Sequence, residues 1–171
     1  MLISDFRDRS LTTALTTTLG TRWRLVTDRV MGGLSQGDAT LVERADRPCL
    51  ALTGDVSLAN NGGFIQLNAE LAPAGSDFDA RRFAGIRLQV IGNDESYGVH
   101  LKTAAMAYPW QSYRASFVAG PHWVEVRLPF SDFEPHRIER PLELERLRRL
   151  GIVAIGRAFH ADLCIAEIGF Y

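Results

Sequence analysis

Lysine is almost missing from this chain: Lys102 is the only one, and arginine carries nearly all of the positive charge. The formal net charge of −1 leaves no general attraction to nucleic acid or anionic lipid. No apolar run approaches the ~20 residues that a membrane-spanning helix requires, so the chain is not expected to span a membrane. The segment from Met1 to Arg9 lacks the basic region followed by an apolar core that marks a secretory signal. Cysteine is scarce too. Cys49 and Cys164 lie in apolar, strand-like runs with no CxxC or metal-ligand spacing, so both are expected as reduced core thiols. These absences point to a cytoplasmic location.

Signatures of bond chemistry are also lacking. The four histidines, His100, His122, His136 and His160, show no HxH or HExxH spacing that could seat zinc. There is no GxSxG elbow and no reactive-cysteine signature. The turn Asp28-x-x-x-Gly32-Gly33 lacks the Lys-Ser/Thr that completes a phosphate-cradling loop. Asp28 is instead expected to bond backbone N–H groups of its own turn. Neither catalysis, nor a metal, nor a cofactor is expected.

What the chain does have is glycine in pairs. Asp28-Arg29-Val30-Met31-Gly32-Gly33-Leu34-Ser35 and Asn60-Asn61-Gly62-Gly63-Phe64 each set a Gly-Gly next to small polar side chains and apolar anchors. Glycine reaches φ > 0 and permits close approach of chain segments. Asp28, Ser35, Asn60 and Asn61 can hold such turns by bonding nearby backbone groups. Two fixed corners about thirty residues apart could serve structure alone or frame a binding face.

Around these corners the apolar period is two. At 171 residues, 46% hydrophobic and 23% charged, the chain reads as one domain spanning residues 1–171. Trp23–Val26 is a short strand entering the first corner. Ala39–Ala45 and Leu50–Leu58 pair around the turn Asp46-Arg47-Pro48. Further alternating runs carry Ile65/Leu67, Ile86/Leu88/Val90, Val99/Leu101, Tyr113/Phe117 and Val124/Val126, and two strands, Gly151–Gly156 and Asp162–Tyr171, close the chain. Residues 5–20 are ambiguous: Leu11, Leu15 and Leu19 after a Ser10 cap suit a short helix, whereas the threonines suit a strand. Leu142–Leu150 has a helical pattern. About ten short strands with one or two short helices predict an all-β sandwich or jelly roll.

The pattern resembles the complex I intermediate-associated protein 30 family. The resemblance is carried by Trp23, Asp28-x-Val30-Met31-Gly32-Gly33-x-Ser35, and Gly54-x-Val56-Ser57-Leu58-x-Asn60-Asn61-Gly62-Gly63-Phe64. It continues through Gly85-Ile86-x-Leu88, Tyr97, Tyr113-x-x-x-Phe117 and Trp123-x-x-Val126-x-Leu128-Pro129-Phe130-x-x-Phe133, and runs from about Trp23 to Tyr171. It implies a galactose-binding-like β-sandwich. For the mitochondrial members it implies an assembly-factor role with respiratory complex I, hence a protein partner. The chain departs from the family pattern after Phe133, where His136-Arg137-Ile138-Glu139-Arg140-Pro141 holds no glycine.

Alternation also assigns an outward phase: Gln66, Asn68, Arg87, Gln89, His100, Lys102, Ser112, Arg114, Glu125 and Arg127. If these strands share a sheet, the result is one polar, net positive face suited to an acidic protein surface or a small anion. It could equally be ordinary solvated sheet. A carbohydrate would need an aromatic platform there; Trp123 has the right phase and Trp110 lies in an adjacent loop.

Overall fold

Strict alternation requires sheets with one dry face and one wet face, and the chain builds two that share a dry interior. The computed structural model describes residues 1–7, 15–73 and 75–171. Ser10, Leu11 and the threonines at 12 and 13 lie outside the described residues.

One antiparallel sheet contains β1 (Leu2–Ser4), β3 (Gln36–Arg44), β4 (Arg47–Val56), β6 (Gly85–Ile91), β9 (Val124–Pro129) and β12 (Phe159–Phe170). Its order is β3-β4-β12-β6-β9, with β1 paired to the end of β12. The other contains β2 (Arg24–Thr27), β5 (Phe64–Glu70), β7 (Glu95–Thr103), β8 (Ser112–Ala119), β10 (Glu134–His136) and β11 (Leu147–Ile155), in the order β10-β8-β7-β11-β5-β2. This is the expected jelly-roll sandwich. Leu50, Leu52, Ile86, Leu88 and Ile168 of the first sheet meet Ile65, Leu67, Val99, Leu101, Tyr113 and Ile152 of the second in one continuous core. Each such aliphatic side chain contributes about 1.5–3 kcal/mol by leaving water.

Several expectations need correction. Leu142–Leu150 is not a helix: a 3-10 turn over Leu144–Arg146 runs into β11. Leu147 and Leu150 have helical spacing, yet both are buried because the register shifts between Leu147 and Arg149. A bulge adds one residue and turns both side chains to the same face. The β3–β4 turn is Ala45-Asp46, both at positive φ (46° and 59°), while Arg47 and Pro48 already belong to β4. Val124, expected inside, is exposed on edge strand β9. Of residues 5–20, Thr16 makes an isolated bridge with Arg22, and Thr17 and Thr21 are buried and share a 2.8 Å hydroxyl hydrogen bond. In the rim loop without glycine, Arg137 itself takes φ 55°.

Candidate functional site

The two glycine corners meet at a single carboxylate. Asp28 opens a 3-10 turn over Asp28–Met31 that Gly32 closes in the left-handed conformation, φ 85°. Its side chain is 0% exposed and accepts from the Ser35 N–H (3.0 Å), the Ser35 hydroxyl (2.5 Å) and the Gly63 N–H (2.6 Å), with a longer contact from Phe64 N–H (3.4 Å). Burial works to raise its pKa, but these donors outweigh burial and hold it below the usual carboxylate value. Beyond the expected bond to a backbone N–H of its own turn, at Ser35, Asp28 ties the first corner to the second. The glycines fit this lock. A Cβ on Gly33 or Gly62 would collide with the Asp28 carboxylate, and Gly63 sits at φ 128°. Further ties are Asn60 Nδ2 to the Gly32 carbonyl (3.2 Å) and Ser57 N–H to the Ser35 hydroxyl (2.9 Å). Asn60 and Asn61 both occupy the left-handed region, which Asn tolerates. Trp23 is buried nearby in sequence, its indole N–H on Ser4 Oγ at 3.0 Å.

With its polar groups turned inward, the lock shows apolar side chains outward. Val30 (76% exposed), Met31 (64%), Leu34 (53%) and Leu58 (51%) project from these two laced loops. Arg29 is the only exposed charge among residues 28–35 and 57–63. Beside them lies a hollow of about 500 Å³ lined by Leu25, Val26, Thr27, Arg29, Val30 and Gln36, among others. Met31 stood among the motif residues, but the outward role of Val30, Leu34 and Leu58 was missed; alternation does not report on corners.

The single polar face divides between the two sheets. Arg87, Gln89, Glu125 and Arg127 lie on the first sheet and are compensated there. Arg87 pairs with Glu167, Arg127 with Glu125 (2.6 Å), and Gln89 donates to Glu125 (3.2 Å). Trp123 is on that sheet as well, half-buried over Cys49, Ala51, Ile91, Cys164 and Ala166, with Arg47 across its ring and its N–H on the Arg44 carbonyl (3.2 Å). It cannot serve as a platform for the other sheet. Cys49 and Cys164 are free and buried, as read, but in this small outer cluster rather than the main core.

Gln66, Asn68, His100, Lys102, Ser112 and Arg114 do come together, on the outer face of the second sheet. Across its strands Glu134, Arg114, His100, Gly151, Asn68 and Arg24 stand in one row. Gln66 donates to Asn68 (2.5 Å) over Gly151, whose lack of a side chain makes room. His100 is only 6% exposed. Burial, then Arg114, His136 and Lys102, lower its pKa to about 3, so it is neutral at ordinary pH. Arg114 donates to Ser112 Oγ (2.8 Å), and Lys102 to the Pro109 carbonyl. Burial and then neighbouring cations lower the pKa of Lys102, Arg114 and His136 alike. An aromatic pair missed as such stands at the end of this face: Tyr108 and Trp110 are half exposed and stacked at 4.8 Å. Among the described residues, no group of three His, Cys, Asp or Glu side chains is placed to hold a metal, and no helix is long and apolar enough to cross a membrane.

Comparison with solved structures finds carbohydrate-binding modules. The family 11 module of a cellulosomal cellulase of Clostridium thermocellum superposes with a TM-score of 0.71 at 12% identity, covering 99% of this chain and 92% of that one. A family 11 module from the same organism in complex with a β-1,3-1,4-mixed-linked tetrasaccharide gives 0.69 at 11% identity, covering 99% and 93%. A family 30 module from Clostridium thermocellum gives 0.56 at 13% identity, covering 81% and 83%. At such identities the likeness is one of fold. Comparison with curated proteins finds no match. The family model for complex I intermediate-associated protein 30 matches residues 10–165, and by that match the chain belongs to this family.

Proposed function

We propose that the protein is a non-catalytic binding domain that acts as an assembly factor, docking a subunit or intermediate of respiratory complex I on the surface formed by the two glycine corners. The observation that carries this reading is the Asp28 lock, which holds Val30, Met31, Leu34 and Leu58 outward on fixed backbone. A preset loop loses little conformational freedom on binding. A few apolar anchors of about 1.5–3 kcal/mol each can dominate such an interface. Arg29 suits a partner whose apolar side chains are flanked by an acidic group. The family match supports complex I as the setting, and a cytoplasmic location belongs to the same proposal. Affinity capture from the native host tests it. Wild type is expected to retain complex I subunits that Met31→Ser/Leu34→Ser loses; equal capture by both would refute the surface.

A second reading has its own observation. Tyr108, stacked on Trp110, lines a hollow of about 290 Å³ together with Glu70, Lys102, Arg148 and Arg149. Aromatic faces beside hydrogen-bonding groups suit a carbohydrate, and the cations suit a small anion. The fold shared with carbohydrate-binding modules supports this reading of the second sheet's outer face. A sugar or anion that raises the melting temperature in wild type but not in Trp110→Ala is the expected result; an equal shift in both would remove the aromatic pair from the site.

A further inference from the structure

We infer that the outer face of the second sheet holds a site for a hydroxylated carboxylate about the size of one sugar acid, with Arg114 taking the carboxylate and His100 a hydroxyl. The inference rests on the second reading above, that this face takes a small ligand, and it specifies that ligand's chemistry.

His100 is 6% exposed, no hydrogen bond among the described residues involves its ring, and its ring nitrogens keep some access to solvent. The ring lies over Gly98: a Cβ at Gly98 would stand 3.2 Å from His100 Nε2. Across the ladder from His100 stands Gly151. The two glycines let side chains lie flat on the sheet, the imidazole over Gly98 and the Gln66–Asn68 pair over Gly151. A hollow of about 320 Å³ opens there, lined by Gly98, His100, Arg114, Ser116, Glu134 and Arg157, among others. That is the small end of the range for ligand pockets.

The charges in the hollow are unequally satisfied. Arg157 already pairs with Glu95. Arg114 has no carboxylate partner among the described residues; its Nε is on Ser112, which leaves the terminal N–H groups of the guanidinium to face a carboxylate. Glu134, directly opposite Arg114 on β10, makes no ion pair among the described residues. A neutral imidazole offers one donor and one acceptor, which matches a hydroxyl. Ser116 and Glu134 add further groups for hydroxyls. A bare phosphate would bring up to two negative charges toward the Glu134 carboxylate where a carboxylate brings one, and a neutral sugar would leave Arg114 uncompensated. One carboxylate bearing several hydroxyls satisfies all four side chains.

The test titrates the whole chain with glucuronate, galacturonate, glucose and inorganic phosphate, following the His100 ring resonances by NMR and the heat by calorimetry. A saturable shift of the His100 signals with a uronate, weakened roughly tenfold or more in Arg114→Gln, is expected. Ser116→Ala should weaken it less. If Arg114→Gln lowers the melting temperature, Arg114→Lys replaces it, since a lysine keeps charge but not two-pronged geometry. Phosphate binding as tightly as the uronates would overturn the inference. So would glucose binding equally well to wild type and Arg114→Gln, though that outcome leaves the second reading standing. No titration with any of the four would overturn both.

Discussion

Asp28 and His100 are both buried ionisable side chains, and their hydrogen bonding is opposite. Asp28 receives two donors from Ser35, one from Gly63 and a longer one from Phe64. His100 receives none among the described residues, and its ring nitrogens keep some access to solvent. A buried charge that is fully met within the chain is scaffold: it fixes the corners and shows nothing polar to a partner. A neutral imidazole that lines a hollow and keeps access to solvent is open to something outside the chain. The sheets repeat the contrast. On the first, Arg87 and Arg127 have carboxylates; on the second, Arg149 has Glu70 but Arg114 has none among the described residues.

The largest effect should come from breaking the lock. Asp28→Ala strands the Gly63 N–H and the Ser35 groups and is expected to cost about 3 kcal/mol or more in a denaturant melt. A loss below ~1 kcal/mol would mean that the corners hold without it. Next are the glycines. Gly33→Ala forces a methyl into the carboxylate and should cost about 1–3 kcal/mol. Gly32→Ala meets no neighbour and strains only a φ of 85°, so it should cost about 1 kcal/mol. The reverse order would put backbone strain, not the carboxylate, in charge.

Acid separates the two groups in a third way. The unfolded His100 takes up a proton near 6.5, the native one only near 3, so between these values the unfolded state binds more protons and stability rises with pH. Stability should drop by roughly 2 kcal/mol between about pH 7 and about pH 5 on this account, and His100→Gln should flatten the slope. Asp28 has a lowered carboxylate pKa, so its contribution is present above the ordinary carboxylate range and is lost only as pH falls through its folded value. An unchanged slope in His100→Gln would show that the imidazole is not held neutral. Smallest should be the effect of Val30→Ser or Leu58→Ser on stability, within about 0.5 kcal/mol, because those side chains are largely exposed.

Much of this fold was legible because alternation reports the phase of a strand. It does not report which sheet the strand joins. That is why Arg87, Gln89, Arg127 and Trp123 were expected beside His100 and Arg114 but lie on the other sheet, where Glu167 and Glu125 meet the arginines. The bulge in β11 similarly disguised a strand as a helix, by spacing Leu147 and Leu150 three apart. At the corners, the glycine pairs announced tight turns. The bond from Asp28 to Gly63 spans thirty-five residues and leaves no local trace. Nor does composition say that Leu34 and Leu58 point outward.

The most direct test is a hydrogen-exchange footprint of the chain alone and bound to a purified complex I intermediate from the same host. Slowed exchange is expected at Arg29–Leu34 and Leu58–Asn61, with the strands bearing His100 and Arg114 unchanged. Protection confined to those strands, with both corners exchanging as in the free chain, would contradict docking at the corners.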